Sequence, residues 1–126
     1  MIKLVYCIQR RNEIPPKEFY RYWLKDHGPL VARVAKAIRA VKYVQSHTVE
    51  PELNAILQQS RGLAPPYDGI TEVWWNDADS LRAALSAPEG QAAMKQLLED
   101  EATFIDFAKS RVFMTEEHPI FQNDGA

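Results

Sequence analysis

The order of strand-like and helix-like patterns is the feature that most constrains the fold of this chain. Four segments are rich in β-branched and aromatic residues, as strands are: 2–9, 41–50, 69–75 and 109–117. Helical patterns separate the first strand from the second and the third from the fourth. With right-handed crossovers, the order β-α-β-β-α-β predicts a ferredoxin-like α+β fold, a four-stranded antiparallel sheet with helices on one face. Residues 1–126 suit one domain.

Large apolar residues occupy both faces of the third predicted strand. Ile70 and Trp74 point to one face, and Val73 and Trp75 point to the other. Because the helices can cover only one face, the second would remain an exposed apolar patch in a monomer. We therefore expect a homodimer in which two copies pack through their sheet faces.

Composition excludes several classes of function. The formal net charge is −2 and the basic residues are dispersed, which argues against nucleic-acid binding. Cys7 is the only cysteine, so neither an internal disulfide nor a cysteine-based zinc site can form. No apolar stretch approaches the ~20 residues that span a bilayer, and the N-terminus lacks the apolar core of a signal peptide. A soluble, cytoplasmic protein is the expectation.

A titratable ring lies on the apolar stripe of the first predicted helix. The stripe has helical spacing and contains Phe19, Tyr20, Trp23, Leu24 and His27. Gly28 and Pro29 follow, and we expect them to kink the helix. Because histidine titrates near neutrality, His27 is the first candidate for a general acid or base. The alternative is that His27 caps the helix C-terminus.

Other polar candidates lie on strands and at their ends. His47 shares a strand face with Tyr43 and could line a pocket, or it could be a satisfied buried histidine. Tyr22 and Tyr67 could stabilise a substrate oxygen, with Tyr20 an equal candidate to Tyr22. The histidine near the C-terminus, His118, fits a surface or subunit contact better than a catalytic role.

The stretch from Pro51 to Gly69 contains three of the eight prolines and two glycines. We interpret it as a long loop with about one helical turn, and residues 51–67 as a lid, because loops of this length are often functional. Asp68 follows the loop. It could orient a histidine, or it could form an Asx-turn before Gly69.

Several segments, in this order, resemble the EthD family: "MIKLVYCIQRR", "EFYRYWLKDHGPLVARV", "YVQSH", "YDGITEVWW" and "SRVFMTEEH". The resemblance implies a dimeric α+β barrel and includes His27 in the family signature. The wider superfamily contains cofactor-free cyclases, muconolactone-type isomerases and quinol-forming monooxygenases, and another branch binds haem. EthD-type proteins are associated with aromatic catabolism or polyketide tailoring.

The working hypothesis is a cofactor-independent cyclase, dehydratase or isomerase that acts on a small hydrophobic aromatic or polyketide-like substrate. The candidate catalytic residues are His27, His47 and Tyr22. The candidate substrate-binding residues are Phe19, Trp23, Tyr67, Asp68 and Trp74. No cofactor or metal is expected, because no histidine has a ligand partner at metal-binding spacing. The alternatives are a cofactor-free quinol-forming monooxygenase and a non-catalytic protein that binds a hydrophobic metabolite.

Overall fold

The computed structural model describes residues 1–125. The strands are β1 (Ile2–Ile8), β2 (Lys42–His47), β3 (Gly69–Trp75) and β4 (Arg111–Thr115). The helices are α1 (Pro16–Tyr22), α2 (Gly28–Val34), α3 (Pro51–Arg61), α4 (Ala78–Ser86) and α5 (Pro88–Glu101). A π-helical turn, Trp23–His27, joins α1 to α2, and a short 3₁₀ turn, Phe107–Lys109, precedes β4.

The four strands form one antiparallel sheet in the order β2-β3-β1-β4. This is the strand order of a ferredoxin-like fold, so the predicted fold class is confirmed. Two apolar clusters fill the space between the sheet and the helices. One is built around Val31, Ile38 and Trp75, and the other around Phe19 and Trp23.

The prediction of a long loop after β2 is wrong, because Pro51 to Arg61 form α3. The proline stands in the first turn, where its missing N–H costs no hydrogen bond. Gly62 ends the helix with a left-handed φ of 64°, and Leu63 N–H donates to the Gln58 carbonyl. No residue of α3 is buried, and Leu53, Ile56 and Leu57 are exposed.

The predicted kink at Gly28 and Pro29 is replaced by the π-helical turn that precedes them. Gly28 N–H donates to the Trp23 carbonyl, five residues back, and the chain continues directly into α2. Pro29 stands in the first turn of α2, where a proline is tolerated. His27 therefore lies inside a continuous helical segment, so it does not cap a free helix end.

Trp23 packs against the backbone of β3 at Gly69. A Cβ atom added at Gly69 would lie 2.6 Å from the Trp23 ring and 2.5 Å from the Ser46 carbonyl oxygen. Glycine is required at position 69 because the indole occupies the space of a side chain. This contact places the start of the π-helical turn directly on the sheet.

Candidate functional site

A cavity of about 450 Å³ lies between the inner face of the sheet and helices α2 and α5. Most of its wall is apolar, with Val31, Val73 and Trp75 among the lining side chains. The lining residues Leu98, Phe107 and Val112 are exposed, so the mouth lies between the end of α5 and the edge strand β4. A predominantly apolar cavity with a few convergent polar groups is typical of small-molecule sites.

His27 is one of the polar groups that line this cavity, and it is only 5 % exposed. Its Nδ1 atom lies 2.6 Å from Oδ2 of Asp100 on α5. Because a carboxylate oxygen accepts, Nδ1 carries the proton, and the lone pair of the imidazole is on Nε2. The ring also packs on Phe104, with 5.0 Å between the ring centroids.

Burial lowers the pKa of His27, and the hydrogen bond and charge of Asp100 act in the opposite direction. The ring is therefore neutral at pH 7, and Nε2 can accept a proton. Asp100 is itself held by Tyr22, whose hydroxyl donates to Oδ1. This hydrogen bond raises the pKa of Tyr22, with burial adding to the effect. Tyr22 thus orients the carboxylate that orients the His27 ring.

Glu101 is the next residue on α5 and also lines the cavity. Burial raises its pKa to about 7, although the neighbouring Tyr6 hydroxyl acts to lower it and the charge of Asp100 acts to raise it. Tyr6 lines the cavity as well, and burial raises its pKa further above the normal range. The cavity therefore combines one neutral base with hydroxyl and carboxyl groups that can donate hydrogen bonds.

Tyr22, a predicted catalytic residue, does not line the cavity, and neither does the third predicted catalytic residue, His47. Its ring stacks on Trp23, with centroids 4.4 Å apart and an interplanar angle of 14°. Its Nε2 atom lies 2.8 Å from Oε1 of Gln45. Hydrogen bonds connect His47 to Gln45 and Gln45 to Tyr43, and Tyr43 is the member of this series that lines the cavity wall.

The residues predicted to bind substrate lie outside the cavity wall. Phe19 and Trp23 are fully buried in the second apolar cluster. The backbone carbonyl of Tyr67 accepts a hydrogen bond from the Thr48 hydroxyl. The Asp68 carboxylate accepts one from the backbone N–H of Arg10 at 2.7 Å, and this bond connects the end of β1 to the start of β3.

Trp74 lies on the opposite sheet face from Val73 and Trp75, because side chains alternate along a strand. Its indole N–H donates to Glu117 at 2.6 Å, and the ammonium groups of Lys3 and Lys42 lie over its ring. No residue from 51 to 67 lines the cavity, so the segment predicted to be its lid does not cover it in this structure.

Asp100, Glu101, Tyr43 and Tyr6 were not predicted as site residues. The apolar stripe of α5 did contain a signal for Glu101, because Met94, Leu97, Leu98 and Glu101 follow helical spacing. An acidic residue on an apolar stripe points to a buried carboxyl group. Asp100 had no comparable signal, since it lies among acidic neighbours at the end of a helix.

Two structural observations bear on other classes of site. Within residues 1–125, no three histidine, cysteine or acidic side chains converge closely enough to hold a metal ion. In the same part of the chain, no helix is both long and apolar enough to cross a membrane.

Solved structures similar to this chain have the same fold. An ethyl tert-butyl ether D (EthD) family protein from Bacillus halodurans C-125 is 20 % identical, with a TM-score of 0.61 over 94 % of this chain and 99 % of that one. HapK from Hahella chejuensis is 10 % identical, with a TM-score of 0.60 over 99 % and 100 %. SnoaB, a cofactor-independent oxygenase from Streptomyces nogalater, is 14 % identical, with a TM-score of 0.54 over 97 % of each chain.

At the level of sequence, no curated protein matches this chain significantly. The family model of the EthD domain, however, matches residues 11–108. The matched segment contains His27, Tyr43, Asp100 and Glu101, and it includes every helix of the structure. The chain therefore belongs to the EthD family.

Proposed function

We propose that this protein is a cofactor-independent enzyme that uses His27 as a general base on a small, largely apolar substrate. The observation that carries the proposal is the Asp100–His27 pair in the cavity wall. Its 2.6 Å hydrogen bond keeps the proton on Nδ1 and leaves Nε2 as the accepting atom. Burial keeps the ring neutral, which is the form that a base requires.

The substrate class follows from the size and lining of the cavity. A volume of about 450 Å³ with mostly apolar walls suits a substrate of a few fused rings, such as an aromatic or polyketide-like compound. The donors Tyr6, Tyr43 and Glu101 suit oxygen substituents on that compound. Removal of a proton from carbon beside a carbonyl, followed by return of a proton elsewhere, is the chemistry of a cyclisation, dehydration or isomerisation.

The test uses the same substitution at two histidines. His27→Asn removes the base, whereas His118→Asn changes an exposed histidine that pairs with Glu116. With a panel of hydroxylated aromatic and polyketide-like compounds, we expect His27→Asn to lower kcat by about 100-fold or more, the usual contribution of a general base. His118→Asn should keep full turnover. Full turnover by His27→Asn would refute the proposal.

A second candidate function is a cofactor-free oxygenase. The similarity to SnoaB supports it, since that neighbour is a cofactor-independent oxygenase. The same base could deprotonate a phenol or an activated ring carbon so that the resulting phenolate or carbanion reacts with dioxygen. Oxygen uptake measured during turnover separates the two candidates, because cyclisation, dehydration and isomerisation consume no oxygen.

We also propose that the protein is a homodimer formed through the sheet face that carries no helices. This face contains the exposed apolar residues Ile70 (37 % exposed) and Phe113 (50 % exposed). The apolar residues Ile120 and Phe121 near the C-terminus are also exposed. A second copy packed on the same face would remove the apolar sheet surface from water.

A further inference from the structure

A directed chain of hydrogen bonds ends at the cavity on Tyr43. The chain runs along one face of β2 through His47, Gln45 and Tyr43, and both of its links are 2.8 Å long. Tyr43 is the only one of the three that lines the cavity. The direction in which each link donates decides what Tyr43 can offer to a ligand.

The amide of Gln45 is oriented by the backbone of the π-helical turn. Its Nε2 atom lies 2.8 Å from the Trp23 carbonyl oxygen, which can only accept, so this atom must be the NH₂ group. The same nitrogen lies 2.8 Å from the Tyr43 hydroxyl oxygen. Both amide hydrogens are therefore used, and Gln45 donates to Tyr43.

The orientation of Gln45 also determines the role of His47. Because Oε1 of Gln45 accepts, the Nε2 atom of His47 must carry a hydrogen. Stacking on Trp23, and on Tyr20 with centroids 5.2 Å apart, fixes the plane of the His47 ring. Burial lowers the pKa of His47, but both its neutral and its protonated form donate through this nitrogen. The direction of the chain is thus independent of the charge on His47.

Among the hydrogen bonds of residues 1–125, none is donated by the Tyr43 hydroxyl, although the Thr71 hydroxyl lies near its oxygen. Its oxygen accepts from Gln45, so its own O–H must point to another group. Burial raises the pKa of Tyr43, whereas the Gln45, Thr71 and Trp23 side chains near the oxygen act to lower it. The hydroxyl remains protonated at neutral pH, and the hydrogen bond from Gln45 to its oxygen polarises the O–H for donation to a ligand.

We infer that Tyr43 is the hydrogen-bond donor that holds a carbonyl or phenolate oxygen of the ligand in the cavity, and that Gln45 and His47 position it. This inference deepens the proposed function and depends on it for the class of ligand. His27 would remove a proton, and Tyr43 would stabilise the negative charge that then develops on the oxygen. This role for Tyr43 limits the ligand class to flat apolar compounds with an oxygen that can carry negative charge.

The test measures binding, so it requires neither the natural substrate nor turnover. The probe is 2,6-dichloro-4-nitrophenol, which is ionised at pH 6, where Glu101 with its pKa of about 7 is still mainly protonated. The matched probe is 3,5-dichloronitrobenzene, which has the same ring and lacks the oxygen. We expect Tyr43→Phe to weaken binding of the phenolate about 10- to 100-fold, as for a hydrogen bond to a charged group, and to leave the second probe unchanged.

Two further variants separate donation from packing. Tyr67→Phe removes a hydroxyl that lies outside the cavity wall and should bind both probes as the unchanged protein does. Gln45→Glu places an acceptor beside Tyr43, so the hydroxyl should turn towards it and phenolate binding should fall as in Tyr43→Phe. The absorption band of the bound phenolate should shift in both Tyr43→Phe and Gln45→Glu, and thermal unfolding checks that each variant is folded.

The inference is overturned if Tyr43→Phe binds the phenolate as tightly as the unchanged protein, if both probes lose affinity equally, or if the unchanged protein binds neither. The proposed function fails differently. If phenolate binding depends on Tyr43 while His27→Asn retains turnover, the oxygen-binding role stands and the base assignment is wrong.

Discussion

Replacing Glu101 with glutamine should change the way in which stability depends on pH. Glu101 lines an apolar cavity, and burial is the main reason why its pKa is raised to about 7 from a usual value of 4.5. Glutamine has almost the same shape and cannot ionise. Glu101→Gln therefore resembles the protonated form of the native residue at every pH.

The sign and the size of the effect follow from linkage. Between pH 4.5 and about 7 the folded protein holds a proton on Glu101 that the unfolded chain has released, so the free energy of unfolding falls as the pH rises through this window. A shift of this size corresponds to roughly 3 kcal/mol, at about 1.4 kcal/mol for each pKa unit. Glu101→Gln should match the native protein near pH 4.5 and exceed it by about 3 kcal/mol at pH 8.

The assay is urea unfolding at a series of pH values between 4.5 and 8.5, with Glu99→Gln as the control. Glu99 is on the same helix and is exposed, with Lys95 Nζ 3.9 Å away. Its replacement should therefore change the free energy of unfolding only slightly, and by a similar amount at every pH. Curves for Glu101→Gln and the native protein that stay parallel across the range would refute the reasoning, because they would show that Glu101 ionises normally.

Three further predictions concern packing, the pKa of His27 and assembly. Gly69→Ala should cost about 1–3 kcal/mol in urea unfolding because the new methyl group collides with Trp23, and an unchanged midpoint would contradict the packing argument. Asp100→Asn should lower the pKa of His27 further, because Asp100 is the group that opposes the effect of burial; an NMR titration that shows a rise would contradict this assignment. Phe113→Lys should give a monomer by sedimentation velocity under conditions where the native protein is a dimer, and two equal sedimentation coefficients would place the interface elsewhere.

The fold could be predicted from sequence because the apolar residues of the strands and helices recur at regular spacing. β3 has the predicted limits, and the ends of the other three strands lie within three residues of the predicted ones. The failure at α3 has a physical cause. Its Leu53, Ile56 and Leu57 are spaced as in a helix, but three prolines and two glycines in the stretch from 51 to 69 favoured a loop. The prolines stand at the start of the helix and after its end, where they do not break it.

The candidate site was harder to predict, because its residues meet only in three dimensions. His27 was found from one helical stripe, yet its partner Asp100 is 73 residues away. The aromatic residues of the same stripe were expected to contact substrate. Instead Phe19 and Trp23 form the core beneath the sheet, since large aromatic side chains stabilise a small domain most when fully buried. Single-strand patterns likewise placed His47 and Tyr43 on one face but could not show which of them reaches the cavity.

The π-helical turn between α1 and α2 makes the position of His27 sensitive to insertion and deletion. A π turn is equivalent to one residue inserted into an α-helix, and each residue rotates a helix by about 100°. Deletion of the exposed Lys25 would restore regular α-helical winding and turn α2 relative to α1. The imidazole would then be displaced from the cavity wall while the sheet and the Phe19 core kept their sequence. Loss of a single codon in this turn would thus move the imidazole away from the cavity, and gain of a codon would move it back.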